Sequence, residues 1–338
     1  MHPKIVLAPL RGVTGAPFRS AFARYFGGVD YAVAPFVAPV KGTSPQRSHL
    51  RELDPARNAA MPVIPQLIGN NPHEFVNSMR IFADLGYHEV NWNLGCPFTK
   101  VTRKKRGSGL LPYPDMIRSF LDIVCAGPVL PVSLKCRLGL RDHNELSRLL
   151  PLLNDYPLQS IIVHPRTADQ HYAGRVDLER FAQCLRTSAH GLIYNGDITS
   201  VADFRKLQTR FPQITTWMMG RGVVADPFLP ANCKYPTMQH ENQTDRIKSF
   251  HDEICRLLEA DGYGPGPLLG AMKELWSYLC TSLAGGDNLL KRIRKTTSVV
   301  GYSHLVAHFF ASDTRWLGSV SPTNHLAQSK FLPHLPKA

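Results

Sequence analysis

Strand-like runs recur along the first two-thirds of the chain with helix-compatible stretches between them, and this alternation constrains the fold more than any other property of the sequence. The runs are KIVLAPL (4–10), VDYAVAPFV (29–37), MPVIPQLIG (61–69), HEVNWNLG (88–95), LPVSLKCR (130–137), QSIIVHPR (159–166), GLIYNGD (191–197) and TTWMMGRG (215–222). Between the third and fourth, NPHEFVNSMRIFADLG sets Phe75, Met79, Phe82 and Ala83 on one helical face and closes on a glycine. Eight strands alternating with helices over roughly 230 residues predict an α/β fold, a (β/α)8 TIM barrel. A doubly wound sheet would need a glycine-rich fingerprint after its first strand, and LAPLRGVTG is not one.

After about Tyr235 the alternation gives way to three runs at helical period, broken by Gly-rich stretches. The sequence therefore predicts a barrel domain over 1–235, a small all-helical domain over 236–312 and an irregular tail over 313–338. The seven cysteines are scattered singly with no C-x-x-C pair, which predicts reduced thiols and no metal site. No apolar run approaches the roughly 20 residues that span a bilayer, and the N-terminus is strand-like, so a cytoplasmic protein without a membrane partner is expected. A formal charge of +13 points to a polyanionic partner, nucleic acid first.

In such a barrel, function collects where strands end. These strands end in Ala8-Pro9, Pro35-Phe36, Gln66, Asn93 to Cys96, Lys135 and Arg137, His164 and Arg166, Asn195-Gly196-Asp197, and Gly220-Arg221-Gly222. A purely structural barrel has no reason to converge an amide, a lysine, an imidazole and a guanidinium on one rim, because each costs free energy to bury unpaired. The glycines after the last two strands suit a phosphate, and Gln66 and Lys135 opposite suit a heteroaromatic ring with acceptor atoms. Flavin mononucleotide (FMN) has both ends.

The segments LAPLRGVTGAPFR, VIPQLIGNNP, NLGCP, SLKCRLG, VHPRTADQHYAG, NGDI and GRG together resemble the tRNA-dihydrouridine synthases, flavin enzymes built on a barrel with a helical domain appended. They stand in family order over most of residues 5 to 230. MKELWSYL (272–279) is similar to the C-terminal domain of the branch acting at position 16 of the D-loop. The resemblance implies that Cys96 donates the proton in reducing a uridine C5=C6 bond, the hydride coming to C6 from reduced FMN. It implies FMN contacts from Pro9, Leu10, Arg11, Gln66, Lys135, His164, Asn195, Gly196, Asp197, Gly220 and Arg221. Asn93 and Arg137 would meet the flipped base, Lys273 the RNA, and NADPH or NADH would be the reductant. The partner is then tRNA, gripped at its phosphates by Lys104, Lys105 and Arg106 and by Arg292 and Arg294, and a monomer is expected. A barrel flavoprotein acting on a free pyrimidine and a non-catalytic RNA-binding protein are the alternatives; the basic charge and the helical domain weigh against the first, and bound flavin would exclude the second.

Cysteine suits the task. A thiol with an ordinary pKa of about 8.5 is mostly protonated at neutral pH yet releases its proton readily. Gly95 lets its turn approach a substrate, and Pro97 fixes the backbone beyond it.

Overall fold

The computed structural model describes residues 2–40, 50–127 and 129–318. Nine parallel strands form one sheet: β1 (Lys4–Leu7), β2 (Tyr31–Val33), β3 (Val63–Ile64), β4 (Gln66–Leu67), β5 (Val90–Leu94), β6 (Val132–Gly139), β7 (Leu158–Thr167), β8 (Leu192–Asn195) and β9 (Thr216–Met219). Their order, β3-β2-β1-β9-β8-β7-β6-β5-β4, ends on two strands adjacent in sequence, so the sheet curls into a barrel. The ninth strand arises because the predicted third run is cut at Pro65. Proline has no N–H to give the ladder. Val63–Ile64 pairs with β2, Gln66–Leu67 pairs with β5, and the Pro65 carbonyl accepts from the Asn91 N–H at 2.8 Å.

Helices follow the strands: α1 (Ala16–Tyr25), α2 (Pro72–Asp84), α3 (Thr99–Thr102), α4 (Pro114–Val124), α5 (Glu145–Leu153), α6 (Leu178–Thr187), α7 (Val201–Arg210), α8 (Arg221–Ala225) and α9 (Leu229–Lys234). Local chemistry starts them where they start. The Asn71 side chain caps α2 by accepting from the N–H groups of His73 and Glu74, with Pro72 pre-set at the first position.

Side-chain alternation along the strands divides two apolar regions. Outward residues such as Trp92, Leu94, Leu134 and Cys136 join the helices in the main core. Trp92 stacks on Phe120 of α4 with ring centroids 3.9 Å apart and donates its Nε1–H to the Gly69 carbonyl. Val6, Val33, Ile162, Ile193 and Met218, on strands β1, β2, β7, β8 and β9, form a separate cluster inside the barrel with Ala8, which follows β1. The interior on β4, β5 and β6 is polar, and there lies the origin of the site.

Four helices come after the barrel: α10 (Gln243–Ala260), α11 (Pro265–Leu279), α12 (Gly286–Lys295) and α13 (Val299–Ala311). The third predicted helical run divides into α12 and α13, because the Ser298 hydroxyl accepts from the Gly301 N–H and starts a new helix. The α10 helix lies along α1. Phe250 meets Phe18 and Phe26 edge-on at 5.4 and 5.0 Å, and Arg246 donates to the Tyr25 carbonyl. In the predicted tail, Trp316 forms an antiparallel bridge with Leu283, and residues beyond 318 lie outside the described residues. No helix among the described residues is long and apolar enough to cross a membrane.

Candidate active site

β5 delivers Cys96 to the barrel mouth on a turn built by Asn93. The Asn93 Oδ1 accepts from the backbone N–H groups of Gly95 and Cys96 at 3.0 and 2.9 Å, folding the chain as it leaves the strand. The following loop returns onto the same residue: the N–H and hydroxyl of Ser108 both donate to the Cys96 carbonyl, at 3.2 and 2.8 Å. Gly107 makes that return possible. Its φ is +57°, and a Cβ there would lie 2.9 Å from the Cys96 Cβ.

The turn is tied into the barrel by side chains. Asn93 Nδ2 donates to Gln66 Oε1 (2.8 Å), Gln66 Nε2 to Asn91 Oδ1 (2.7 Å), and Asn91 Nδ2 to Ser133 Oγ (2.9 Å). Each amide spends one end on the residue before it and the other on the residue after it, so the amide orientations are determined along the whole chain. Asn93 is thus committed largely to the Cys96 turn; one Nδ2 hydrogen remains beyond these bonds. Asn91 and Ser133 were absent from the sequence-predicted site, although their two-residue offsets from Asn93 and Lys135 put them on the same inward face.

Cys96 is buried, with 6% of the residue exposed. Burial pushes its pKa up, against the opposing pull of a backbone hydrogen bond from Phe98 and of Arg11, Arg137 and Lys135, so it holds its proton at neutral pH. Lys135, inward on β6, is driven down to about 8, first by burial and then by Arg137. Arg137 acts as a brace. It donates Nε to the Gly95 carbonyl at 3.1 Å and Nη1 to the Thr167 and His171 carbonyls, both at 2.8 Å, joining the Cys96 turn to the loop after β7. Burial lowers its pKa to about 10, which leaves it charged.

Across the mouth, β7, β8 and β9 present His164, Arg166, Asn195, Asp197 and Arg221. Arg166 is 1% exposed and grips both oxygens of Asp197, at 3.0 and 2.5 Å. Arg221 reaches Asp197 Oδ1 at 2.9 Å. Asn195 Nδ2 ties β8 to the Met218 carbonyl on β9. His164 is kept neutral, its pKa far below the usual value, by burial and then by Arg137, Lys135, Arg166 and Arg221. Close packing explains the glycines: a Cβ at Gly220 would lie 3.2 Å from that of Ala8, and one at Gly196 would lie 3.0 Å from Val176. Pro9, Leu10 and Arg11 border the same mouth, with the Leu10 N–H donating to Thr14 Oγ1 and Arg11 over the Phe36 ring. Tyr172, another residue the sequence reading left unassigned, lies half-exposed with Arg221 over its ring at 4.3 Å.

The predicted phosphate-gripping residues divide. Lys104 and Lys105 are exposed, Lys105 standing over the Tyr113 ring at 4.1 Å, while Arg106 is half-buried with its Nε on Asn70. Arg292 and Arg294 are exposed on α12, either side of the buried Ile293. Lys273 is turned inward: its Nζ donates to the carbonyls of Arg294 and Thr296 at 3.2 and 2.6 Å, closing the C-terminus of α12. Two of its three donors thus go to a helix end, which leaves one for the expected RNA contact.

A model of the dihydrouridine synthase (Dus) family matches residues 6–288. The chain is 29% identical over 231 residues to tRNA-dihydrouridine synthase B of Pasteurella multocida (strain Pm70), covering 67% of each protein. It is 31% identical over 229 residues to the protein of that name from Xanthomonas campestris pv. campestris, covering 67% of this chain and 68% of the relative. The Escherichia coli (strain K12) protein of that name is 28% identical over 279 residues, 78% of this chain and 83% of that one. Among solved structures, TcOYE with pHBA superposes with a TM-score of 0.51 at 13% identity, over 73% of this chain and 92% of that chain, a likeness of fold alone. Fold, family model and relatives agree, and the chain is an enzyme that belongs to the dihydrouridine synthase family.

Proposed function

We propose that the protein reduces the C5=C6 bond of a uridine in the D-loop of tRNA, using FMN and NADPH, with Cys96 as the proton donor. The observation that carries this reading is the Cys96 thiol itself, buried, protonated at neutral pH and held on a turn ringed by Arg11, Lys135 and Arg137. A conjugated enone accepts a hydride at C6 as its electron density moves toward O4, and then needs a proton at C5. Cys96 provides that proton, and the neighbouring cations stabilise the thiolate left behind.

The residues present fit FMN. Lys135 is half-buried at the mouth and no side-chain hydrogen bond holds its Nζ among the described residues, which leaves its donors for an acceptor on a ligand. Gln66 lies one strand further on, linked through Asn93 to the position paired with Lys135, and opposite are Arg221 and Arg166 with Asp197 between them, a surplus of positive charge suited to a phosphate. When bound, the flavin supplies the hydride. Pro9, Leu10, Arg11, Gln66, Lys135, His164, Asn195, Gly196, Asp197, Gly220 and Arg221 hold it, and Arg137 and the remaining Asn93 N–H orient the uracil. The 1–235 unit is then the catalytic domain and 236–312 the RNA-facing one, with Lys104, Lys105, Arg106, Arg292 and Arg294 on phosphates. The target base must leave its stack, at a cost of a few kcal/mol that stacking and edge hydrogen bonds in the pocket offset.

Incubating purified protein with NADPH and an unmodified tRNA transcript, then mapping dihydrouridine, tests the reading. Product in the D-loop and none from free uracil is expected. Reduction of free uracil without reaction on tRNA would overturn it.

A further inference from the structure

We infer that Arg166 is a positioning residue that fixes the tautomer of His164, keeping the proton on Nδ1 so that this edge of the ring meets the bound cofactor as a donor. The inference rests on the proposed role of His164 as a flavin contact and adds the state in which that contact is made.

A guanidinium has five N–H donors and no acceptor. All five of Arg166 are engaged. Nε donates to the Ala173 carbonyl at 3.2 Å, Nη2 to the Gly174 carbonyl at 2.7 Å and to Asp197 Oδ2, and Nη1 to Asp197 Oδ1 at 3.0 Å. The fifth hydrogen, also on Nη1, points to His164 Nε2 at 3.2 Å. That nitrogen must therefore bring its lone pair. An Nε2–H would face an N–H, and one guanidinium donor would be buried without a partner in a site 1% exposed. Such a loss disfavours the Nε2–H tautomer by on the order of tenfold to a hundredfold.

The imidazolium is excluded independently, since burial and the surrounding cations keep the ring neutral. The Cδ2 edge of His164 lies against Gly196, 3.3 Å from where a Cβ would be, so the edge left for a ligand is the one carrying Nδ1. Asp197, held at a φ of +43°, fixes the guanidinium from the far side. Lysine could not replace this arginine, because a single ammonium cannot hold both carboxylate oxygens, two loop carbonyls and the ring in one fixed fork.

Nitrogen NMR of the full-length protein with 15N-labelled histidine rings, assigned with His164→Asn, reads the tautomer directly. The expected wild-type pattern is a pyridine-type Nε2 and a pyrrole-type Nδ1, both with the flavin bound and after its removal. In Arg166→Met the pattern moves toward Nε2–H. If that variant does not fold because Asp197 loses its two-pronged partner and keeps only Arg221, Arg166→Met/Asp197→Asn leaves the net charge of the cluster unchanged and is expected to give the same shift. A pyrrole-type Nε2 in the wild type overturns the inference, as does an unchanged pattern in whichever folded variant lacks Arg166. Flavin content of His164→Asn is scored separately: full occupancy there would remove His164 from the cofactor site while leaving the tautomer result intact.

Discussion

Replacing Gly107 by alanine should loosen the Cys96 turn, and the structure sets the size of the effect. Two costs combine. An L-residue at φ +57° carries the left-handed penalty of about 1–2 kcal/mol. The new methyl group would also lie 2.9 Å from both the Cβ and the carbonyl oxygen of Cys96, and forcing a packed site apart by that much costs about 1–3 kcal/mol. Gly86→Ala isolates the first term, since its φ is +86° and nothing lies within 4 Å of the added Cβ. Chemical denaturation should then show Gly86→Ala destabilised by about 1–2 kcal/mol and Gly107→Ala by about 2–5 kcal/mol. Alkylation of Cys96, followed by peptide mass spectrometry under native conditions, should speed up in Gly107→Ala and stay at the wild-type rate in Gly86→Ala. Equal destabilisation of the two variants, with Cys96 equally protected in both, would refute a loop that leans on the thiol.

Other perturbations probe the chemistry and the surface. Cys96→Ala should keep its flavin and still oxidise NADPH while dihydrouridine formation drops about 10²–10⁴-fold, the usual loss for a missing general acid; wild-type turnover would make the thiol structural. Lys135, with its pKa pushed down to about 8, binds fewer protons folded than unfolded between there and the ordinary value of about 10.4. Flavin-free wild type should therefore gain stability relative to Lys135→Met as the pH rises through that window, and a flat difference would mean that the ammonium is not buried. Neutralising Lys104, Lys105 and Arg106 together, or Arg292 with Arg294, should weaken tRNA binding and flatten its salt dependence by about 0.7–0.9 per lost phosphate contact. The same loss in a Lys206→Ala control on the outer helix α7 would reduce both clusters to a diffuse field.

Much of the barrel was legible because strand and helix periods differ and because turns after strands declare themselves in Gly, Pro and Asn. The rim residues were legible for a related reason: a polar group at the inward position of a buried parallel strand needs an explanation. What stayed hidden depended on pairing across long separations. Arg166 is visible as a strand end, but nothing in the sequence says that Asp197, 31 residues later, takes its fork. Lys273 reads as one more basic residue of a basic protein until α12 folds back and offers it carbonyls. The split of the third strand follows from Pro65 alone, yet which half pairs with which neighbour is decided by closure of the whole sheet.

The run around Pro65 is where the ring of strands closes. On one side it bonds β2 and, through the Val37–Leu67 bridge, the segment beyond β2; on the other it bonds β5, where the Gln66 side chain adds links to both Asn91 and Asn93. Those same bonds orient the turn carrying Cys96. A local opening in which β4 parts from β5 would therefore free the turn that holds the thiol at the same moment. The reactivity of Cys96 thus reads two contacts at once, the β4–β5 edge behind its turn and the Gly107 loop in front of it.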